Sequence, residues 1–546
     1  MDYKALSELL FPDVKDTLQD YEIRYPWRDL PKEAMVTRLA PSPTGFIHLG
    51  NLYQALANER LAHQSQGRFI LRIEDTDEKR KVEGAIELLV STLAYFGINF
   101  DEGILCNPQG DYAPYQQSER RDLYGAAAKF LVANDCAYPC FCSEEELALS
   151  HQRQADEKAD FGYYGIYAKC RDLTIDQVKD KLSQHIPFTI RLKAKGDPNG
   201  TFTIHDGIRG DLTMPQNTND TVLLKSNGLP TYHFAHAVDD HFMRVTHVIR
   251  GEEWLSTLPV HVQLFEYLQF PLPVYCHTTL LLKQDGEIRR KLSKRKDPEL
   301  SLEYYKSLGY HPLAVKEYLM RVLNSNYEAW RDENPKADLT GFSFTTAKMG
   351  SSGALFDLSK LNDVSKDILA DLSVEALCDF FLDWVKDYDQ DNLTIYNDKA
   401  YLKRIFMVGR YDNNPRKDLI YGKQITEKIA FYFDTLFAIK EGLPPAIDNA
   451  SAKELITAYL ETMDISDDKE TWFNKVRALC EVHNYALKAK LIQKEPGKYR
   501  GHIGEVTAVF RLALAGTLNA PDLWELQQAM GEQRVVERLQ KLYNAL

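Results

Sequence analysis

Apolar positions follow an alternating rhythm in the first third of the chain. Short apolar runs predict buried strands and 3.6-residue periodicity predicts helices, with strands at 35–40 and 68–73 and helices at 49–65, 83–96 and 118–134. Alternation of strand and helix predicts a parallel sheet with right-handed crossovers. We therefore expect an α/β fold in this stretch.

The rhythm breaks between residues 136 and 215 and then returns. The interrupting stretch holds a Tyr/Gly-rich segment and a short strand pattern at 188–192, which predicts an inserted α+β subdomain. The α/β pattern resumes with strands at 221–224 and 244–250 and a helix at 260–268. A hairpin follows at 278–289, where Asp285-Gly286 supplies the turn.

The two ends of the chain have helical periodicity without strands. The first 34 residues are acidic and amphipathic, and predict a helical extension. Beyond residue 370 we expect two small helical bundles, with helices at 374–386, 425–440, 451–463, 469–491, 504–515 and 531–543. These patterns divide the chain into segments 1–34, 35–135, 136–215, 216–296, 297–370 and 371–546.

Composition limits the classes of protein that the sequence can represent. The chain has 546 residues, of which 44% are apolar and 27% charged, which excludes a collagen-like or largely disordered chain. A net charge of −13 argues against non-specific coating of DNA or of an anionic membrane. No apolar run is long enough for a transmembrane helix, and the first residues lack a signal-peptide pattern. The eight cysteines do not resemble a disulfide framework, so we expect a cytoplasmic protein.

A Pro- and Gly-containing loop joins the first strand to the first long helix. Its sequence is PSPTGFIHLGN, residues 41–51. A helix that begins there offers free N–H groups and a positive dipole end to a phosphate. Gly50 leaves room for a flat ring against the backbone, and His48 could donate to a phosphate oxygen. Taken alone, the same residues also fit an ordinary loop with a polar helix cap.

A strongly basic run, RRKLSKRK, occupies residues 289–296. In isolation it fits a solvated charge run or a nucleic-acid patch. It also fits a mobile loop whose lysines neutralise a phosphoryl centre and a departing pyrophosphate, a role that suits a compact, flexible point charge. No Walker-type G-x-x-x-x-G-K-[ST] motif is present to explain phosphate chemistry in another way.

Together the two motifs resemble those of the class I aminoacyl-tRNA synthetases. HLGN (48–51) resembles the HIGH motif of that class, and KLSKR (291–295) resembles its KMSKS motif. Within the class, the sequence is similar to the bacterial glutamyl-tRNA synthetase family in five stretches: 37–50, 69–77, 138–146, 231–255 and 291–295. The resemblance implies a Rossmann-like catalytic domain interrupted by an acceptor-stem-binding insert, a stem-contact domain at 297–370 and a helical anticodon-binding region.

The resemblance also implies which residues form the site. Those matched to catalytic positions are His48, Lys291 and Lys294, and those matched to ATP contacts are Ser42, Thr44, His48, Gly50, Asn51 and Lys294. Those matched to contacts with glutamate are Arg38, Ala40, Ser42, Glu74, Tyr232, His236 and Arg250. Arginine forks fit carboxylates, and the carboxylate of Glu74 could take the α-ammonium. Without the resemblance, these residues also fit surface cations, a helix cap and a packing tyrosine.

The implied reaction has two steps. ATP, with Mg²⁺, activates L-glutamate to glutamyl-adenylate, and the terminal adenosine of tRNA(Glu) then accepts the glutamyl group. The resemblance leaves open whether tRNA(Gln) is also charged. We expect a monomer that does not bind membranes. Contacts with tRNA could come from the basic cluster Lys488, Lys490, Lys494, Lys498 and Arg500, or from Arg511 and Arg534, although a solvated helix face explains these residues equally well.

The cysteine pattern departs from that of the relatives with zinc. Cys140, Cys142 and Cys170 match three of four ligand positions, but Asp172 stands where those relatives have histidine. Three cysteines and one carboxylate are uncommon for structural zinc. We therefore favour three reduced thiols without a metal.

Other members of the same class and other kinds of protein share parts of this pattern. A glutaminyl-tRNA synthetase usually has Asp at the position of Glu74 and ends in β-barrels. A tRNA-modifying paralogue would lack the helical C-terminal region. A metabolic adenylyl-transferring ligase or a tRNA-binding scaffold could share the α/β core, but the intact lysine run and the His48 motif argue against a scaffold.

Overall fold

The computed structural model describes residues 2–77, 82–411 and 415–546. The chain forms two compact units. The first comprises Met1–Glu303 with Lys316–Asp357, and the second comprises Tyr304–Val315 with Leu358–Leu546.

The strands of the described residues lie mostly in the first unit. In chain order they are β1 (Val36–Leu39), β2 (Arg68–Leu71), β3 (Glu102–Gly103), β4 (Ala137–Cys140), β5 (Thr189–Leu192), β6 (Thr201–Asp206), β7 (Gly210–Pro215), β8 (Val222–Leu224), β9 (His247–Gly251), β10 (Val274–Thr278), β11 (Leu281–Asp285), β12 (Ile288–Lys291), β13 (Ala354–Leu355), β14 (Tyr485–Ala486) and β15 (Gly501–His502).

The α-helices of the described residues are more numerous than the sequence predicts. In chain order they are α1 (Tyr3–Leu10), α2 (Leu18–Arg24), α3 (Leu49–Gln64), α4 (Ala85–Tyr95), α5 (Arg121–Ala133), α6 (Glu144–Glu157), α7 (Ile175–Ser183), α8 (Tyr232–Phe242), α9 (Leu258–Leu268), α10 (Leu302–Leu308), α11 (Pro312–Leu323), α12 (Tyr327–Glu333), α13 (Leu358–Asp371), α14 (Val374–Tyr388), α15 (Lys399–Met407), α16 (Gly422–Ile429), α17 (Asn449–Thr462), α18 (Lys469–Val482), α19 (Ala489–Lys494), α20 (Ile503–Ala515), α21 (Leu523–Met530) and α22 (Glu532–Ala545).

The centre of the first unit is a parallel sheet. β2 pairs with β1 and β3, and β10 pairs with β9, in every case parallel. The two groups adjoin where the Thr246 N–H, next to β9, donates to the Val36 carbonyl at 2.9 Å. All four residues of β1 are buried, as expected for a parallel strand covered by helices on both faces. The α/β prediction for this part of the chain is confirmed.

The inserted stretch contributes strands to two sheets, and the prediction for the strand that follows this stretch is wrong. β4, β5 and β8 form an antiparallel sheet. The strand predicted at 221–224 was assigned to the returning α/β pattern, but β8 instead pairs antiparallel with β5. Three residues are too few to distinguish these two settings by periodicity. β6 and β7 form a hairpin, and Asp206 at the end of β6 pairs parallel with Tyr275 of β10.

The N-terminal segment is part of the first unit's core. Leu6, Leu10 and Tyr21 are buried in the same hydrophobic cluster as the residues of α5 and α8. Asp2 and Thr17 cap α1 and α2 with their side chains. The guanidinium of Arg28 donates to both carboxylate oxygens of Glu102 next to the central sheet. Helices α1 and α2 of this segment therefore pack into the core of the first unit.

The predicted hairpin is present, and its second strand contains the first three residues of the basic run. β11 and β12 pair antiparallel, with Asp285 opposite Ile288. Gly286 has φ +61°, a value that favours glycine and is typical of a tight hairpin turn. β13 adds a third, parallel strand beside β11.

The second unit is helical but differs from the predicted pair of bundles. One continuous hydrophobic core extends from Leu369 to Leu542. Helix α16 ends at Ile429 rather than continuing to residue 440, and the predicted helix 469–491 is interrupted between α18 and α19. The interruption contains β14, which pairs with β15, although no strand was predicted there. Within the described residues, no helix is both long enough and apolar enough to span a bilayer.

Candidate active site

A cavity of about 570 Å³ opens at the carboxyl ends of the central strands. Its walls come from β1, from the loop that follows β1, from the residues after β2 and β9, and from the basic run after β12. Ligands of open α/β sheets bind at this edge, outside the carboxyl ends of the strands. The cavity is therefore the candidate active site.

His48 is the N-cap of α3 and faces this cavity. The Asn51 backbone N–H donates to His48 Nδ1 at 3.2 Å, and the His48 N–H donates to Asn51 Oδ1 at 2.9 Å. Burial, together with Lys294 and Lys291, lowers the His48 pKa to about 4. The imidazole is therefore neutral at pH 7. Because Nδ1 accepts a hydrogen bond, the proton lies on Nε2, which leaves that N–H as a donor for a ligand.

Gly50 keeps His48 in this orientation. A Cβ atom at residue 50 would lie 2.9 Å from His48 Nδ1, closer than non-bonded atoms tolerate. Any side chain at this position would push the imidazole out of its cap. The sequence predicted an open surface at Gly50 for a flat ring, and the structure adds this second reason for glycine.

The lysine run meets the phosphate loop at the cavity. Lys291 and Lys294 line the cavity together with His48. Lys294 Nζ lies 3.9 Å from the centroid of the Phe46 ring, within the same loop as His48. The Leu302 N–H donates to the Ile47 carbonyl at 3.2 Å, which ties the chain after the run to the phosphate loop. Two motifs that are far apart in sequence therefore share one site.

Asp297 anchors the base of the lysine run. Its carboxylate accepts hydrogen bonds from Arg290 Nη1 at 2.6 Å and from the Ser293 backbone N–H at 2.9 Å. Arg290 is not part of the cavity lining, whereas Lys291 and Lys294 are. One basic stretch therefore contains both a cation bound to Asp297 and two cations that line the cavity.

Arg38 of β1 also lines the cavity. Its Nε lies 3.3 Å from each carboxylate oxygen of Asp240, a residue of α8 that also binds Arg72. Although burial opposes ionisation, Arg38 and Arg72 hold the Asp240 pKa well below its usual range. Asp240 is therefore a fixed anion that orients the Arg38 guanidinium.

Glu74 lies three residues beyond β2 and beside the same arginines. Arg72 Nη2 donates to Glu74 Oε1 at 3.3 Å. Burial raises the Glu74 pKa to about 7, even though Arg72 and Arg38 favour the ionised form. The carboxylate can therefore gain or lose a proton near neutrality, depending on what occupies the cavity.

Arg250 at the end of β9 supplies a second guanidinium. Its Nε donates to His277 Nε2 at 3.0 Å, whereas its Nη1 donates to Tyr232 Oη at 3.3 Å. Nη2 has contacts of 3.4 Å with the Trp254 carbonyl and with Thr257. The Nε bond is the shortest of these. Because the contacts of Nη1 and Nη2 are longer, the edge formed by these two nitrogens is the one suited to a carboxylate.

Comparisons with known proteins agree with this arrangement. The family described as "tRNA synthetases class I (E and Q), catalytic domain" matches residues 34–363. A glutamate–tRNA ligase of Acetivibrio thermocellus is 54% identical, with 99% of this chain and 100% of that protein aligned. The chain belongs to the glutamate–tRNA ligases. One from Clostridium perfringens is 44% identical, with 99% of each chain covered. These glutamate–tRNA ligases match the chain over its full length. They therefore favour the ligase over the alternatives considered above.

A solved relative has the same fold. The crystal structure of a glutamate–tRNA ligase from Elizabethkingia meningosepticum, in complex with its amino acid, matches with a TM-score of 0.78 and 29% identity. The match covers 94% of this chain and 100% of that one. The predicted class I synthetase fold with a helical C-terminal region is thereby confirmed.

Most of the predicted site residues of this glutamate–tRNA ligase line the one cavity. Those that do are Arg38, Ala40, Ser42, His48, Gly50, Asn51, Glu74, Tyr232, Arg250, Lys291 and Lys294. Thr44 is exposed and lies outside the lining. The sequence did not predict that Tyr53, Gln54, Gln117, Glu253 and Trp254 also form the wall. Trp254 could have been suspected from its position four residues after Arg250, and its ring lies 4.3 Å from that of Tyr232.

His236 is not where the prediction placed it. It is fully buried, and it does not line the cavity. Its Nδ1 lies 2.9 Å from Asp240, and its Nε2 lies 2.9 Å from Tyr275 Oη. Burial lowers its pKa to about 3, despite the adjacent Asp240. His236 is therefore a neutral residue held by Asp240 and Tyr275 outside the cavity wall.

The cysteines of the inserted stretch converge. The sulfur atoms of Cys140, Cys142 and Cys170 all lie within 4.8 Å of one another. Asp172 is not a member of this group of potential ligands among the described residues. The hydroxyl of Tyr163 lies 3.4 Å from Cys140 Sγ and 3.2 Å from Cys142 Sγ instead. A fourth polar atom is thus present, but it comes from a residue that the sequence did not suggest.

The basic residues of the second unit divide into exposed and engaged groups. Lys488, Lys490 and Lys494 are exposed on or next to α19. Arg500 pairs with Glu454 at 2.9 Å, and Arg534 pairs with Asp434 at 3.2 Å. The three exposed lysines are therefore better placed for a polyanionic partner than the two paired arginines.

Proposed function

We propose that the described cavity carries out both steps of glutamate–tRNA ligation. In the first step, an α-carboxylate oxygen of glutamate attacks the α-phosphorus of ATP, and the bond to the bridging oxygen of pyrophosphate breaks. In the second, a ribose hydroxyl of the terminal tRNA adenosine attacks the activated carbonyl, and AMP departs. The observation that supports this proposal best is that His48, both lysines, both arginines and Glu74 line a single cavity.

The phosphate side of the cavity stabilises negative charge. His48 offers its Nε2–H, and the N-terminus of α3 adds the positive end of a helix dipole. Lys294 and Lys291 neutralise charge that builds up on the α-phosphate and on departing pyrophosphate. Mg²⁺ bound with the nucleotide would add further neutralisation. The protein therefore contributes positioning and electrostatics instead of a covalent intermediate.

The amino-acid side of the cavity selects glutamate. Arg38 and Arg250 present two guanidinium groups to the side-chain carboxylate, and Glu74 accepts the α-ammonium. Tyr232 and Trp254 form an apolar wall along the methylene groups. This arrangement leaves the α-carboxylate facing the phosphate side, as in-line attack requires.

Pyrophosphate exchange and tRNA charging test this function together. We expect glutamate-dependent ATP–pyrophosphate exchange and charging of tRNA(Glu), measured with and without tRNA and with aspartate and glutamine as competing amino acids. tRNA(Gln) is the second acceptor to test. Exchange that depends on glutamine, or charging of neither tRNA, would contradict the proposal.

Glutamate binding is expected to weaken as the pH falls. The ionised form of Glu74 pairs with the α-ammonium, and the Glu74 pKa in the free enzyme is about 7. The KM for glutamate should therefore rise about tenfold per pH unit below 7 and level off above it. The measurement is KM between pH 6 and 8.5. Glu74→Gln should have a high KM without this pH dependence, and an unchanged slope in that variant would assign the proton to another group.

We also propose that the cysteine group holds a zinc ion, in place of the metal-free thiols that the sequence favoured. A zinc–sulfur distance of about 2.3 Å places two tetrahedral sulfurs about 3.8 Å apart. Cys142 Sγ and Cys170 Sγ lie 3.7 Å apart. A tetrahedral site needs a fourth ligand besides the three sulfurs. The Tyr163 hydroxyl oxygen, which lies beside two of the sulfurs, is the candidate for it. Cys140, Cys142, Cys170 and Tyr163 would therefore hold the inserted sheet together.

Metal analysis and cobalt substitution check this zinc site. We expect about one zinc per chain by mass spectrometry, and a thiolate-to-cobalt charge-transfer band in the cobalt form. Cys170→Ser should lose both, and Tyr163→Phe should change the cobalt d–d spectrum and weaken metal retention against a chelator. Cys106→Ser removes a half-buried cysteine outside the group and serves as the control. Metal-free wild-type protein that takes up no cobalt would support the reduced thiols instead.

The remaining partner assignments rest on the sequence and on the family. We propose that the exposed lysines Lys488, Lys490 and Lys494 contact tRNA phosphates, with Lys498 and Arg511 as further candidates. We also propose that the enzyme acts as a monomer in the cytoplasm. Mutation of the three lysines to alanine should weaken tRNA binding and reduce its salt dependence, without altering exchange.

A further inference from the structure

A buried hydrogen-bonded chain lies behind the Arg250 guanidinium. Asp206 Oδ2 lies 2.7 Å from His277 Nδ1, and Arg250 Nε donates to His277 Nε2 at 3.0 Å. All three side chains are at least 95% buried. We propose that Asp206 and His277 are positioning residues that set the orientation of Arg250 toward the glutamate carboxylate. This inference rests on the proposed role of Arg250 in glutamate binding.

The tautomer of His277 follows from its two partners. An arginine Nε always carries a proton, so His277 Nε2 must accept. The proton of the neutral ring then lies on Nδ1, where the Asp206 carboxylate accepts it. Burial keeps the His277 pKa below its ordinary value, although Asp206 favours the protonated form. A carboxylate that fixes the tautomer of a histidine thereby fixes the donor edge of the arginine beyond it.

These hydrogen bonds explain how the Arg250 guanidinium is oriented. Hydrogen bonding of Nε to His277 fixes the guanidinium plane, whereas the two Nη groups have only contacts of 3.3–3.4 Å. The Nη edge can exchange such long contacts for a carboxylate at little cost, whereas the short Nε bond holds the plane in place. A pre-oriented fork loses less conformational entropy when glutamate binds.

Asp206 comes from the inserted part of the chain and not from the central strands. It ends β6, where it also accepts from the backbone N–H groups of Ile208 and Arg209, each at 3.0 Å. Arg209 Nε donates to the His277 carbonyl at 3.1 Å. The turn of the β6–β7 hairpin is therefore attached to β10 at His277, the residue that binds Arg250. The position of the hairpin turn therefore also determines the orientation of the Arg250 guanidinium.

Steady-state kinetics of Asp206→Asn test the inference. An asparagine amide can donate to Nδ1 and so favour the opposite tautomer, whose Nε2–H faces Arg250 Nε. We expect the glutamate KM to rise about tenfold, with kcat at saturating glutamate and the ATP KM within about twofold of wild type. Nitrogen-15 spectra of histidine-labelled protein should show one ring changing tautomer.

Two further variants separate positioning from folding. His277→Gln can accept from Arg250 and donate to Asp206, and should recover most of the affinity that His277→Leu loses. Asp211→Asn breaks an exposed Asp–His pair of 2.7 Å in the same hairpin, and should leave the glutamate KM unchanged.

Two results would overturn the inference. One is an unchanged KM in folded Asp206→Asn, and the other is equal losses in His277→Gln and His277→Leu. Arg250→Lys distinguishes the inference from the proposed function. If that variant binds glutamate normally, the role of Arg250 itself is wrong, whereas a high KM there with normal Asp206→Asn refutes only the positioning chain.

Discussion

Replacing Lys294 with alanine should lower kcat for pyrophosphate exchange by about 100- to 1000-fold, the range measured when one preorganised charge-stabilising donor is removed. Lys294 lines the phosphate side of the cavity, and its Nζ lies 3.9 Å from the centroid of the Phe46 ring. Among the described residues, no carboxylate forms an ion pair with the Lys294 ammonium, so we expect it to interact with the phosphates of ATP. The glutamate KM should change by less than about threefold, because the contact of Lys294 is with Phe46 of the phosphate loop and its proposed role is with the phosphates.

Lys296→Ala is the matched control for this variant. Lys296 belongs to the same basic run and is exposed, but it does not line the cavity. Removal of its charge should leave exchange within about twofold of wild type, as screening of a distant surface charge predicts. Equal losses in the two variants would mean that the net charge of the run matters and that Lys294 has no specific role.

The central fold could be predicted because its strands are buried on both faces. β2 is a largely apolar run, whereas in β1 two apolar residues flank Thr37 and Arg38. The helix that follows β1 is long and buried along most of its length. The β6–β7 hairpin was not predicted, because its residues are mostly half-exposed and their pattern resembles that of a loop. Its pairing with β10 depends on contacts between segments that are far apart in sequence. Periodicity carries no information about such contacts.

The site residues on local motifs could likewise be predicted. His48, Gly50 and Asn51 act within one helix N-terminus, so their sequence spacing determines their geometry. His236 was placed in the site because it is one turn from Tyr232, but α8 packs that turn against Tyr275 and His261. Helical spacing gives the face of a residue and not its depth.

The positioning residues could not be predicted from spacing at all. Asp206 and His277 come from β6 and β10, and act on Arg250 through pairing of β10 with its two neighbours. Tyr163 approaches the cysteines from a loop in which aromatic residues are frequent. In each case the residues that line the site follow from sequence motifs. The residues that hold them in place depend on tertiary packing.

Arg250→Lys should raise the glutamate KM about 100-fold, or ~2.7 kcal/mol, which is within the range of one hydrogen bond to a charged group. Lysine retains the charge but cannot donate through a planar fork, and it also loses the Nε bond to His277. The ATP KM should stay near wild type, because Arg250 lies at the ends of the strands on the amino-acid side of the cavity. Steady-state exchange with each substrate varied in turn gives both constants.

Arg28→Lys shows whether loss of any arginine fork would have this effect. Arg28 donates to both oxygens of Glu102 in the same unit, but it lies outside the cavity lining. We expect this control to lower thermal stability while the glutamate KM remains unchanged. Arg250→Lys is expected to raise the glutamate KM while thermal stability remains unchanged. If Arg250→Lys lowers stability as Arg28→Lys does but keeps a normal KM, Arg250 is a packing residue. The carboxylate of glutamate would then be recognised by Arg38 alone.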